Sequence, residues 1–127
     1  RDGTGVPQDD REAARLFRGA ANKGHADAQC GLAECYSFGR GMPHDNDEVA
    51  RLYRRAAEQG HATGHFNLGQ CLDHGVGVPQ DDHEAAHFYG LAANQGLAKA
   101  MSKVGVFIAR GRGGLPQDDA EAARYYR

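Results

Sequence analysis

His83-Glu84-Ala85-Ala86-His87 has the form H-E-x-x-H. On a helix, histidines four apart share a face and can hold zinc while the glutamate acts as general base. The chain repeats itself at this point, and the repetition supplies another explanation. Glu84 stands in register with Glu12, Glu48 and Glu121, and the two histidines stand in register with Arg11 and Arg15. An edge that accepts arginine, aspartate, alanine and histidine is expected to face solvent. No histidine follows His87, and the next carboxylates downstream are Asp118, Asp119 and Glu121, one unit further on. Local pairing at i, i+3 (Glu12 with Arg15, Glu48 with Arg51, Glu121 with Arg124) accounts for the column at about 0.2–0.5 kcal/mol each.

Other reactive types are treated the same way. His61 and His65 are four apart, but no cysteine or third ligand lies near them in sequence, so a turn or capping role is expected for His61. The three cysteines form no CxxC and no paired framework. Cys35 and Cys71 share a column with Phe107, which points to packing. Cys30 is expected to be the more exposed cysteine and the one candidate for a reactive thiol. Arg110-Gly111-Arg112-Gly113-Gly114 is a single RGG-like segment in a chain of net charge -2, too little for RNA binding. The Gly-x-Gly loops lack the lysine of a phosphate cradle. No catalytic residue, metal ligand or cofactor is therefore expected.

The elements that carry these residues follow from composition and period. Leu, Ile, Val and Phe make up only 20 of 127 residues, near the level of disordered chains, but the net charge is far too low for disorder. Alanine (21) and glycine (18) are abundant, and small residues let helices approach closely around a thin core. No apolar run approaches the roughly 20 residues that span a bilayer, and membrane insertion is not expected.

Prolines mark the period. Pro7, Pro43 and Pro79 are 36 residues apart, and Pro116 follows after 37, the extra residue being a glycine in Arg112-Gly113-Gly114. The first three sit in the phrase Gly-x-Gly-x-Pro, complete at Gly75-Val76-Gly77-Val78-Pro79-Gln80-Asp81-Asp82, and the last in the same phrase lengthened by one glycine. Asp9, Asp45, Asp81 and Asp118 suit the N-cap or first turn of a helix. Apolar residues at 13, 16, 17, 20 and 21 make a helical stripe, and Gly24, Gly60 and Gly96 end that helix. A second helix is expected at 26–38, 62–74 and 98–110, striped by Ala28, Leu32, Cys35 and Tyr36 and their counterparts, and stopped by Gly39, Gly75 and Gly111. No strand pattern occurs. Two short antiparallel helices cannot bury their faces alone, so the units must stack into an all-α solenoid with 36-residue repeats. The units are about 1–24 (partial), 25–60, 61–96 and 97–127 (truncated), in one array over 1–127. The chain opens on Arg1 and neither end has a polar capping helix, so a longer natural array is expected.

These phrases resemble the Sel-one-like repeat, a branch of the tetratricopeptide-repeat superfamily. The fullest match runs from Ala56-Ala57-Glu58-Gln59-Gly60-His61-Ala62 through Phe66-Asn67-Leu68-Gly69, and the resemblance covers essentially all 127 residues. Ala33 departs from it in place of the Leu-Gly glycine, and Gly114 lengthens one loop. The resemblance implies a right-handed superhelix of helix pairs that serves as a scaffold or adaptor for other proteins. A cysteine-rich branch of the family closes each repeat with a disulfide, but here the Ala-Ala helices carry no cysteine.

The resemblance also implies that the Leu-Gly helix lines the concave face. Partner-binding positions off the Leu32 stripe are then Asp27, Cys30, Glu34, Thr63, Phe66, Asn67, Gln70, His74, Lys99, Ser102, Lys103, Val106 and Arg110. They run from acidic through neutral to basic, which suits an extended or helical segment of mixed charge. The alternative is that these positions are merely solvated and Phe66 packs within the stack. The expected function is a non-catalytic protein-interaction scaffold. The alternatives are a regulatory or targeting array attached to an enzyme elsewhere in the full chain and, remotely, a zinc hydrolase through His83, Glu84 and His87. Unpaired cysteines favour a reducing intracellular compartment.

Overall fold

The loop phrase sets the helix boundaries. The computed structural model describes residues 8–114. Six helices follow one another: α1 (Gln8–Asn22), α2 (Ala26–Phe38), α3 (Asn46–Glu58), α4 (Ala62–His74), α5 (Asp82–Asn94) and α6 (Ala98–Arg110), with a short 3-10 turn at Arg112–Gly114. The second helix of each pair has the bounds expected from the sequence. Asp45 and Asp81 cap α3 and α5, each side chain accepting from the backbone N–H three residues on, at 3.2 and 3.1 Å. Asp9 lies in the first turn of α1, and Asp118 falls outside the described residues.

The second glycine of the loop phrase has a separate task. Gly77 has φ +71 and lies against the carbonyl of Asn46 at the start of α3, where a Cβ would collide. Gly41 meets Asp10 and Gly113 meets Asp82 in the same way. Each loop thus presses its backbone onto the first turn of the preceding unit, which fixes the step from one helix pair to the next.

Every helix packs against its sequence neighbours, and α2 also touches α4 directly. The result is a row of antiparallel helix pairs with no strand among the described residues. The core is thin and continuous. Ala21, Ala56, Ala85, Ala92 and Ala100 are wholly buried, while Leu52, Leu68, Tyr89 and Phe107 supply the volume. Cys35, Cys71 and Phe107 are all buried, so that column is packing, as expected.

Candidate partner-binding groove

Between α2 and α4 a cleft of about 290 Å³ is lined by Glu34, Ser37 and Phe38 on one side and Asn67, Gln70, Cys71 and His74 on the other, with Val49 and Tyr53 of α3 and Val76 of the following loop. It gathers four of the expected positions: Glu34, Asn67, Gln70 and His74. Glu34 and His74 are exposed and the two amides half-buried. Phe38, at the rim, is 66% exposed, the most open large apolar side chain among the described residues. The Arg40 guanidinium stands 4.9 Å from its ring centroid. Tyr53, Val49, Cys71 and Val76 were not among the expected positions. Tyr53 is the aromatic of the Ala-x-x-Tyr phrase, and its recurrence was the available signal.

The other expected positions lie apart from the cleft. Thr63, Lys103 and Val106 are half-buried, and Asp27, Lys99, Ser102 and Arg110 are exposed. Two expectations need correction. Phe66 is only 4% exposed, because the next unit covers it: its ring lies 5.5 Å from that of Tyr89, and Lys99 Nζ sits 4.8 Å above it. Phe66 therefore packs within the stack. Cys30 is 6% exposed, no more open than Cys35, because His61 of the next unit lies over it.

Cys30, His61 and Asp27 nevertheless form a chain of contacts that invites comparison with a nucleophilic triad. Cys30 Sγ is 3.7 Å from His61 Nδ1, and His61 Nε2 is 2.5 Å from Asp27 Oδ1. The imidazole is already committed. Its Nδ1 accepts from the Gly64 N–H at 3.0 Å, capping α4, so Nε2 carries the hydrogen that is donated to Asp27. Burial pushes the Cys30 thiol up to about 12, helped by the negative charges of Asp27 and Glu34. A nucleophilic thiol needs the opposite shift. The trio is a helix cap that locks adjacent units together. The expected capping role of His61 is observed.

The two histidines of the H-E-x-x-H run make separate contacts. His83 Nδ1 donates to the Gly113 carbonyl at 3.2 Å, and His87 lies edge-on to Phe88 at 5.1 Å. Among the described residues no group of three or more metal-ligating side chains forms a site. Glu12–Arg15 and Glu48–Arg51 form the expected ion pairs, and Glu121–Arg124 lies outside the described residues. No described helix is long and apolar enough to cross a membrane.

Arg112, read in the sequence only as part of an RGG-like run, is tied into the fold. It donates to Asp82 at 2.6 Å and to Asp73 at 2.7 Å, and its guanidinium lies 4.0 Å from the Phe107 ring centroid. Tyr89 in turn donates its hydroxyl to Asp73 at 3.0 Å. Burial and this bond to Asp73 push the Tyr89 phenol well above its ordinary range.

The comparisons agree with the geometry. The Sel1 repeat family matches residues 1–25, 26–61, 62–97 and 98–127, the whole chain. This chain belongs to the Sel1 repeat family. Among solved structures it is similar to c5321, described as a protective antigen present in uropathogenic Escherichia coli strains displaying an SLR fold. There the identity is 36% and the TM-score 0.89, over 99% of this chain and 27% of that one. It is also similar to a Sel1 repeat protein from Oxalobacter formigenes, at 33% identity and TM-score 0.83, over 91% of this chain and 47% of that one. The chain thus spans less than half the length of either. Cysteine rich protein B of Helicobacter pylori shares the fold at 21% identity, with a TM-score of 0.70 over 97% of this chain and 87% of that one. Comparison with curated proteins gave no match. The chain is an α-solenoid of a repeat family whose fold is that of an interaction scaffold.

Proposed function

We propose that this chain is a non-catalytic scaffold that holds a segment of another protein in the α2–α4 cleft, on the concave side of the array. The observation that carries the reading is the make-up of the cleft. A bound peptide needs apolar depth for a side chain and amide groups for its backbone. Val49, Tyr53, Cys71 and Val76 supply the depth, and Asn67 and Gln70 can both donate and accept. Glu34 at the acidic side, with Lys103 and Arg110 two repeat units along, gives a segment of mixed charge a preferred direction. The buried Phe66 and Cys30 contribute as support beneath the surface. The commitment of His61, His83 and the thiols to structural contacts supports the non-catalytic side of the reading.

Panning a phage-displayed random peptide library against the chain tests the proposal. Selected peptides should lose more than about tenfold in affinity in the Asn67→Arg, Gln70→Glu double variant, with helical circular dichroism retained. Peptides that bind both proteins equally would rule out the groove. A library that enriches nothing would rule out the peptide-binding role.

A further inference from the structure

The cleft has a filled counterpart one unit along the array. Counting by 36, Arg112 stands in register with Val76, Phe107 with Cys71, Asp73 with Ser37, and Tyr89 with Tyr53. In the later unit these four residues interlock. The Arg112 guanidinium is stacked on Phe107 and bonded to Asp73, which also receives the Tyr89 hydroxyl, and to Asp82, whose register counterpart Asn46 is neutral and lies outside the cleft lining. In the earlier unit all four counterparts line the cleft. Valine replaces arginine and cysteine replaces phenylalanine, so two large side chains give way to small ones and the space stays open. The register residue one further unit back is Arg40, so Val76 is the departure in this column.

At this opening one polar group has lost its partner and a charged group stands where the later unit has a neutral one. The Tyr89 hydroxyl is bonded, whereas the Tyr53 hydroxyl makes no hydrogen bond among the described residues. Glu34 makes no ion pair among them, and its counterpart in the later unit is the neutral Gln70. The carboxylate lies near enough to Tyr53 that, after burial, its charge is the next cause raising the phenol. The cleft therefore combines the space left by the absent arginine and phenylalanine with a carboxylate and a phenol oxygen that have no partner among the described residues.

We infer that the cleft receives an arginine side chain of the partner segment, whose guanidinium takes the position that Arg112 occupies in the following unit, with Glu34 as its counter-ion. Tyr53 and Ser37 offer hydroxyl oxygens as acceptors. Arginine fits better than lysine because a flat guanidinium donates in several directions and stacks on aromatic rings. The Phe38 rim already carries one such stack, from Arg40. The inference rests on the groove reading and names the chemistry of its occupant.

The probes are peptides selected from the random library, synthesised in pairs with arginine or its uncharged isostere citrulline at one position. Fluorescence polarisation should give at least about a tenfold preference for arginine. Glu34→Gln should remove most of that preference, read as the ratio of the arginine and citrulline peptides' affinities. The double variant Val76→Arg, Ser37→Asp restores the arginine and the carboxylate that Arg112 and Asp73 supply in the following unit. It should keep its helical signal and exclude the arginine peptide. Peptides that bind in the groove without preferring arginine would overturn this inference and leave the groove reading standing. An arginine preference unchanged by Glu34→Gln would also overturn it. If the double variant fails to fold, the Glu34→Gln comparison decides alone. A library that enriches nothing overturns both readings.

Discussion

At the scale of single residues, the chemistry-bearing side chains are spent on joining units. Gln59 donates to Gln29 at 2.8 Å, and the Gln95 side-chain oxygen accepts from His65 Nδ1 at 2.9 Å while its nitrogen donates to the Gly60 carbonyl at 2.6 Å. Cys30 and Cys71 are buried, and desolvation raises their thiols to about 12 and about 11. Their alkylation by iodoacetamide near neutral pH should be at least about a hundredfold slower in the native protein than in denaturant, read by mass spectrometry of the modified peptides. Fast native labelling of Cys30 would revive a reactive thiol. The Arg112 interlock should depend on pH. Its hydrogen bond from Arg112 holds the Asp82 carboxyl below its ordinary value of 3.8. The unfolded chain then binds the proton more readily, so the pair's contribution is fully present above that value and is lost as pH falls through the lowered one. The urea midpoint of the wild type should exceed that of Arg112→Gln at about pH 6, and the gap should narrow by about pH 3. A constant gap would contradict the charge argument.

At the scale of elements, the glycine of the turn within a unit and the second glycine of the loop between units perform different tasks that separate substitutions can tell apart. Gly60 has φ +79 with no atom near its would-be Cβ, so Gly60→Ala should cost only the left-handed backbone, about 1 kcal/mol. Gly77→Ala adds a collision with the Asn46 backbone and should cost more than about 2 kcal/mol in thermal or urea unfolding. Equal costs would mean that the loop does not set the step between units. The helices themselves were legible in the sequence, because proline, glycine and the capping aspartates punctuate every unit and α2, α4 and α6 have the expected bounds. The fate of Phe66 and Cys30 was not legible. Both lie off the apolar stripe of their own helix, and what buries them is Tyr89, Lys99 and His61 from the next unit. Coverage across units depends on how far each pair rotates relative to the last, which the pattern within one helix does not encode. The Arg112 interlock was hidden for the same reason, since Asp73, Asp82 and Phe107 meet it from three different helices.

At the scale of the whole molecule, the array is a row of near-copies whose differences matter more than their common plan. Leu16 on α1 is 59% exposed where its counterpart Leu52 is 1% exposed, so stacking, not composition, decides burial in each column. One inter-unit position is sealed by Arg112, and the position before it is left open by Val76. On this account the repeat fold provides the frame and the open cleft provides the function. The most direct measurement is a ¹H–¹⁵N NMR titration of the chain with the tightest peptide from the library. Shift changes should concentrate on Glu34, Tyr53, Asn67, Gln70 and Val76. Changes centred instead on the outward residues of α3 and α5, such as Arg51, Glu58 and His87, would contradict the account.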